Sequence, residues 1–139
     1  MRIDGKAHRA IWLDKSHPQV HVIDQTLLPF HFQVKALDFV SEVAHAISEM
    51  VVRGAPLIGA TAACGLYLAA HRDPDDASLE HAYQTLLSSR PTAVNLRWAL
   101  DRILPELLAV PQNQRESLAR RLAQEVCDED VATNSAIGD

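Results

Sequence analysis

The chain has 139 residues, enough for one domain with a real hydrophobic core, and its 47% hydrophobic and 22% charged residues exclude a disordered segment. A net charge of −5 removes the basic field that nucleic-acid binding by phosphate contacts requires, so nucleic acid is not an expected partner. Two cysteines, Cys64 and Cys127, with no CxxC or Cys/His spacing, exclude a disulfide framework and a zinc motif and suit a reducing, cytoplasmic setting.

The opening residues Met1-Arg2-Ile3-Asp4-Gly5-Lys6 lack the apolar stretch of a secretory signal. Strand signals come next, at Ala10–Leu13, Gln19–Ile23 and Phe30–Val34, separated by the turn-rich Asp14–Pro18 and by Leu28-Pro29. They predict an antiparallel β meander over residues 1–37. From Asp38 the period becomes helical. Asp38 is the expected cap of a first helix with Phe39, Val43, Ala46, Ile47 and Met50 on one face.

A second helix is predicted from Pro56 to about Ala70, since proline is tolerated in a first turn and nearly every following residue is apolar. Arg53 and Pro56 interrupt the apolar run that begins at Val51. What remains is shorter than the roughly 20 residues of a membrane span, so a central buried helix is expected and no membrane partner. Ser78 is the expected cap of a third helix reaching Ser88. Pro91 and Thr92 open a fourth reaching Leu108, which Pro105 should kink or shorten. A fifth begins at Gln112 with Leu118, Leu122 and Val126 on its apolar face and Arg115, Arg120, Arg121 and Glu125 on polar positions; its tail stops at Gly138. A small antiparallel sheet followed by about five helices, with helices filling residues 38–139, makes the expected class α+β.

Two segments could carry chemistry. In the first, Arg53 and Gly54 directly precede a helix whose first N–H groups have no partner within the helix. Those donors suit an anion, Arg53 adds a planar fork for phosphate, and Gly54 lets the backbone approach closely. The second, Ser89-Arg90-Pro91-Thr92-Ala93-Val94-Asn95, repeats the plan. The competing structural reading is that Gly54 and Pro56 shape a tight helix entry, Gly59 and Gly65 permit close helix packing, Trp98 packs in the core, and Arg97 and Asp101 form a solvated pair. Gly54 to Gly59 has the glycine spacing of a P-loop, but Ala60-Thr61 replaces its Lys-Ser/Thr. His17, His21, His31, His45, His71 and His81 show no metal-ligand spacing, so no metal is expected. The acidic residues Asp128, Glu129 and Asp130 after Cys127 disfavour a thiolate there.

The run Asp24-Gln25-Thr26-Leu27-Leu28-Pro29, the segment Met50 to Gly59, and Arg90-Pro91-Thr92-Ala93-Val94-Asn95-Leu96 with Trp98-Ala99 together resemble the methylthioribose-1-phosphate isomerase family, in order and in spacing. The resemblance covers essentially the whole chain, as the N-terminal portion of such an enzyme. It implies conversion of 5-methylthioribose 1-phosphate to 5-methylthioribulose 1-phosphate in methionine salvage, with no metal or organic cofactor. The phosphate on the anomeric carbon blocks spontaneous ring opening, so an acid must open the ring before the proton or hydride at C2 moves.

The family's catalytic Cys and Asp belong to a larger Rossmann-like C-terminal domain with a Thr-x-Cys-Asn-type motif, which this chain lacks; no catalytic residue is expected in it. By position, Arg53, Gly54, Ala55 and Arg90 resemble the family's substrate-binding residues, with Asn95 a further candidate. The resemblance further implies a homodimer for the full-length enzyme and an inactive 139-residue chain. The alternative is a non-catalytic regulatory subunit related to those of the translation initiation exchange factor.

Overall fold

The structure, a computed structural model, describes residues 2–3, 6–7, 11–14, 18–23, 33–49 and 55–138. Strands β1 (Arg2–Ile3) and β2 (Lys6–Ala7) form a short antiparallel pair. Strands β3 (Ile11–Leu13), β4 (Val20–Ile23) and β5 (Val34–Leu37) form a second antiparallel sheet in the order β3-β4-β5. Five helices follow: α1 (Val40–Ser48), α2 (Ala55–Arg72), α3 (Asp76–Ser89), α4 (Val94–Leu108) and α5 (Gln112–Gly138). The class is α+β, as the sequence predicts.

Alternation decides which face of the second sheet is dry. Ile11, Leu13, Val20 and Val22 are buried, while Trp12 and His21 point the other way. Trp12 and His21 are register partners and stack with centroids 5.5 Å apart, and His21 Nε2 lies 3.0 Å from Asp14 Oδ2. Of the expected third strand, Phe30–Val34, only Gln33 and Val34 are described, and the observed strand β5 begins at Val34. It runs over Val34–Leu37, where only Leu37 is buried, so its position follows from pairing Leu37 with Val20 rather than from hydrophobic alternation. Gln19 Nε2 donates to Asp38 Oδ1 at 2.9 Å and fixes that register. Phe30 to Phe32 lie outside the described residues.

Helix boundaries moved where a different group satisfied the free N–H donors. Helix α1 is preceded by Phe39, not capped by Asp38; the Glu42 carboxylate reaches back to accept from the backbone N–H of Asp38 at 2.9 Å and of Phe39 at 3.1 Å. Val43, Ala46 and Ile47 are buried as expected, whereas Phe39 is exposed, with the Arg72 guanidinium 3.8 Å above its ring, and Met50 lies outside the described residues. For α3 the cap is Asp75, whose Oδ1 accepts from Ala77 N–H at 2.7 Å, in place of the expected Ser78. Pro91 and Thr92 form a turn closed by Ala93 N–H on Arg90 C=O at 3.0 Å, so α4 starts at Val94 rather than at Pro91. Pro105 sits in the last turn of α4 and does not shorten it; the helix reaches Leu108.

The predicted central helix is central. Every residue of α2 from Leu57 to Ala70 is buried, Thr61 included, whose hydroxyl donates to Leu57 C=O at 2.7 Å. Small side chains let its neighbours close in: a Cβ on Gly65 would meet Leu86 Cδ2 at 2.9 Å and Val43 Cγ1 at 3.1 Å. Helices α2 and α5 are antiparallel, as the contacts Cys64–Cys127, Tyr67–Arg120 and His71–Glu116 show by advancing along one helix while retreating along the other.

Two expectations on the outer helices are corrected. Arg115 was read as a surface position and is 5% exposed: its Nε donates to Val110 C=O at 3.0 Å and its Nη1 to Pro74 C=O at 2.7 Å and to Asp76 Oδ1. Burial is tolerated because the guanidinium is paired with Asp76 and donates to three carbonyls, Leu108 C=O at 3.4 Å included. Trp98 was weighed as a core residue and is 52% exposed, beside the Arg102 guanidinium. Asp101 accepts from Tyr83 Oη–H at 2.5 Å.

Candidate functional site

The first turns of α2 and α4 meet. A Cβ on Gly59 would lie 3.0 Å from the carbonyl oxygen of Asn95 and 3.7 Å from Ala99 Cβ, so this glycine is what permits backbone contact between the two helices. Gly59 thus serves the close packing foreseen for it. The contact also sets the first turn of α4 beside the first turns of α2, with two sets of N–H donors that neither helix satisfies internally.

Arg90 is half-buried at the entrance to this corner and its Nε donates to Ile47 C=O at 3.2 Å. That carbonyl belongs to the last turn of α1, where cations are favoured. Through this bond Arg90, which precedes α4 in the sequence, ties the approach to α4 to the end of α1. Asn95 is the second residue of α4 and is half-buried. Helix α2 begins at Ala55; Arg53 and Gly54, the residues immediately before it in the sequence, lie outside the described residues.

Charge at the helix starts is uneven, and α5, outside this corner, lacks an acidic residue in its first turn. Helices α1 and α3 carry an acidic residue in their first turns, Glu42 and Asp76. Helices α2 and α4, whose starts meet, carry none. Two positive dipole ends therefore lie side by side, and no carboxylate from their own first turns offsets them. Such a place is suited to an anion supplied from outside.

A groove of about 480 Å³ lies elsewhere, between β5 and α1, lined by Gln33, Lys35, Ser41, Glu42 and His45 among others. Neither Arg90 nor Asn95 lines it. Among the described residues, no group of three or more His, Cys, Asp or Glu could hold a metal ion, and no helix is long and apolar enough to cross a membrane.

With that geometry in hand, the chain belongs to the initiation factor 2 subunit family, whose pattern it matches over residues 51–139. Its relatives include the methylthioribose-1-phosphate isomerase of Paramagnetospirillum magneticum, 50% identical over 139 residues, which are 100% of this chain and 38% of that protein. Among solved structures, the 5-methylthioribose 1-phosphate isomerase of Pyrococcus horikoshii OT3 superposes with a TM-score of 0.85 at 39% identity, covering 93% of this chain and 38% of that one. The delta subunit of the translation initiation factor eIF-2B from A. fulgidus gives a TM-score of 0.82 at 36% identity, covering 90% and 38%. The chain thus spans 38% of the length of each of these proteins and corresponds to the N-terminal part of the isomerases. The resemblance read from the three motifs is borne out.

Proposed function

We propose that these 139 residues are the N-terminal, phosphate-binding domain of an aldose-ketose isomerase acting on 5-methylthioribose 1-phosphate in methionine salvage. The reading is supported by isomerase relatives matching along the whole chain and, above all, by the meeting of α2 and α4 near their starts, with no acidic residue in either first turn and Arg90 just ahead of α4 in the sequence. Arg53 and Arg90 would grip the phosphate, Gly54 and Ala55 would admit it to the start of α2, and Asn95 would orient it from α4. Such a clamp contributes positioning, while ring opening and movement of the C2 proton or hydride require an acid and a base outside these residues. The homodimer and the cytoplasmic setting belong to the same proposal for the whole enzyme.

The test is a titration of the 139-residue polypeptide with 5-methylthioribose 1-phosphate, followed by backbone amide NMR. Shifts concentrated at residues 53–59 and 90–97, abolished by Arg53→Ala, are the expected result. Shifts confined to the groove between β5 and α1, or no binding, would remove the proposal. The same polypeptide should show only background isomerisation.

The similarity to the eIF-2B delta subunit supports a second reading, a non-catalytic regulatory subunit acting through protein contacts. A chain that ignores the sugar phosphate up to millimolar concentration but binds a related subunit would favour it.

A further inference from the structure

The two cysteines lie 63 positions apart in the sequence, yet their sulfurs are 3.6 Å apart, in van der Waals contact. Cys64 comes from the middle of α2 and Cys127 from α5, and they are 0% and 1% exposed. The approach is a product of the helix pairing. On α5 the face toward the core reads Ala119, Ala123, Cys127, one small residue per turn, all buried, and on α2 Cys64 is flanked by Ala60 and Leu68 on the same face. Small residues at these positions bring the axes close enough for two thiols to touch. Farther along, Arg120 Nη1 donates to Tyr67 Oη at 3.0 Å, which links the two helices, and Arg120 Nη2 to Asp14 C=O at 2.7 Å, which ties α5 to the end of β3.

We propose that Cys64 and Cys127 are a reversible modification site, a thiol pair that the folded chain presents for closure into an intramolecular disulfide stapling α5 to α2. Closing the bond requires the sulfurs to approach to about 2.05 Å, a movement available to side-chain rotation with slight adjustment of two helices. The oxidant class is a small disulfide such as oxidised glutathione. One cysteine thiolate attacks it, forming a mixed disulfide and releasing one glutathione thiol. The second cysteine thiolate attacks the protein sulfur of that intermediate and releases the second glutathione. Two protein thiols are oxidised, one disulfide is reduced, and two protons pass to the two departing thiolates.

Burial means that exchange proceeds through local opening between α5 and α2, so closure is slow and its extent is read at equilibrium. Folding matters because it fixes the two thiols side by side. An unfolded chain closing the same loop must bring together residues 63 positions apart by diffusion. The inference is independent of the phosphate-site proposal, since neither cysteine belongs to that corner.

The experiment equilibrates the 139-residue polypeptide in buffers of fixed reduced and oxidised glutathione, with and without denaturing guanidinium, and quantifies the Cys64–Cys127 crosslink by mass spectrometry of unreduced peptides. The native chain should close with an equilibrium constant about tenfold or more above that of the unfolded chain, and the crosslinked form should unfold about 5 °C or more higher. A Cys64→Ser control should show neither change. Equal closure in the native and unfolded chains, single glutathione adducts in place of the crosslink, or a lowered unfolding midpoint in the crosslinked form would each overturn the proposal.

Discussion

The two ends of α4 are both marked by an arginine and treat it in opposite ways. At the C-terminal end, Arg115 is buried and donates to the carbonyls of Leu108, Val110 and Pro74 and to Asp76, a cation placed where the helix dipole welcomes one. At the N-terminal end, Arg90 stands half-buried ahead of a first turn with no acidic residue. The first corner closes its own electrostatics and belongs to stability. In the second, which the proposed function assigns to an external anion, the arginine is tied to α1 through Ile47 C=O. An arginine at a helix corner therefore becomes informative only when its acceptors are known.

The sharpest way to break the contrast is Arg115→Met. It removes a buried, paired cation and takes away the donor it gives to carbonyls of α4 and of the turn before α3. The expected cost is about 3 kcal/mol, read as a shifted urea midpoint at unchanged slope. A cost below about 1 kcal/mol would mean that water serves those carbonyls and that the corner is not the stabilising one.

Glycine substitutions sharpen the other side. A Cβ at Gly59 meets backbone, the Asn95 carbonyl oxygen at 3.0 Å, whereas a Cβ at Gly65 meets the Leu86 and Val43 side chains, which can rotate. Gly59→Ala should therefore cost about 2 kcal/mol, and Gly65→Ala less. Only Gly59→Ala should displace the start of α4 and weaken sugar-phosphate binding. Equal loss of binding in both variants would show that the Gly59 contact has no special bearing on the anion corner.

Arg90→Lys should cost about 1 kcal/mol of stability by losing the bond to Ile47 C=O, because an ammonium cannot reproduce the fork. Its larger effect should be on the phosphate ester, with the dissociation constant raised about tenfold. Calorimetric titration of both proteins separates the two effects. Unchanged affinity would reduce Arg90 to a helix cap.

How far the sequence alone reached is clearest in particular elements. Helix α2 was legible because an uninterrupted apolar run admits one arrangement, burial on all sides, and the structure buries it from Leu57 to Ala70. The caps of α1 and α3 differ from Asp38 and Ser78 by one and three positions because the Glu42 carboxylate takes the N–H groups of Asp38 and Phe39 and Asp75 takes that of Ala77, a choice made by local geometry. Arg115 was invisible as a buried residue, since its acceptors come from elements 39 and 41 positions away as well as from the nearby chain. The Cys64–Cys127 contact depends on helix pairing across 63 positions. Of the candidate site, the two helix starts and Arg90 could be named from sequence; that they meet through Gly59 could not, although a glycine one turn into an apolar helix was the signal available.

The smallest expected effect lies between the two corners, midway along α4, where Tyr83 of α3 donates to Asp101 at 2.5 Å. The hydrogen bond to Asp101 raises the Tyr83 pKa above its ordinary value of 10.0, with burial adding to the shift and Arg97 opposing it. A group whose pKa is higher in the folded chain contributes its full stability below the unfolded value and loses it as pH rises through the folded one. Tyr83→Phe should therefore cost about 0.5 kcal/mol at neutral pH, a gap that narrows only as pH rises past 10.0 and through the raised folded pKa, where the parent chain converges on the variant as the phenol ionises. Urea midpoints of both proteins across that range measure the convergence. Parallel curves with a constant gap would mean that Tyr83 stabilises α4 by packing, and that its proton has no part in holding the two ends of the helix in place.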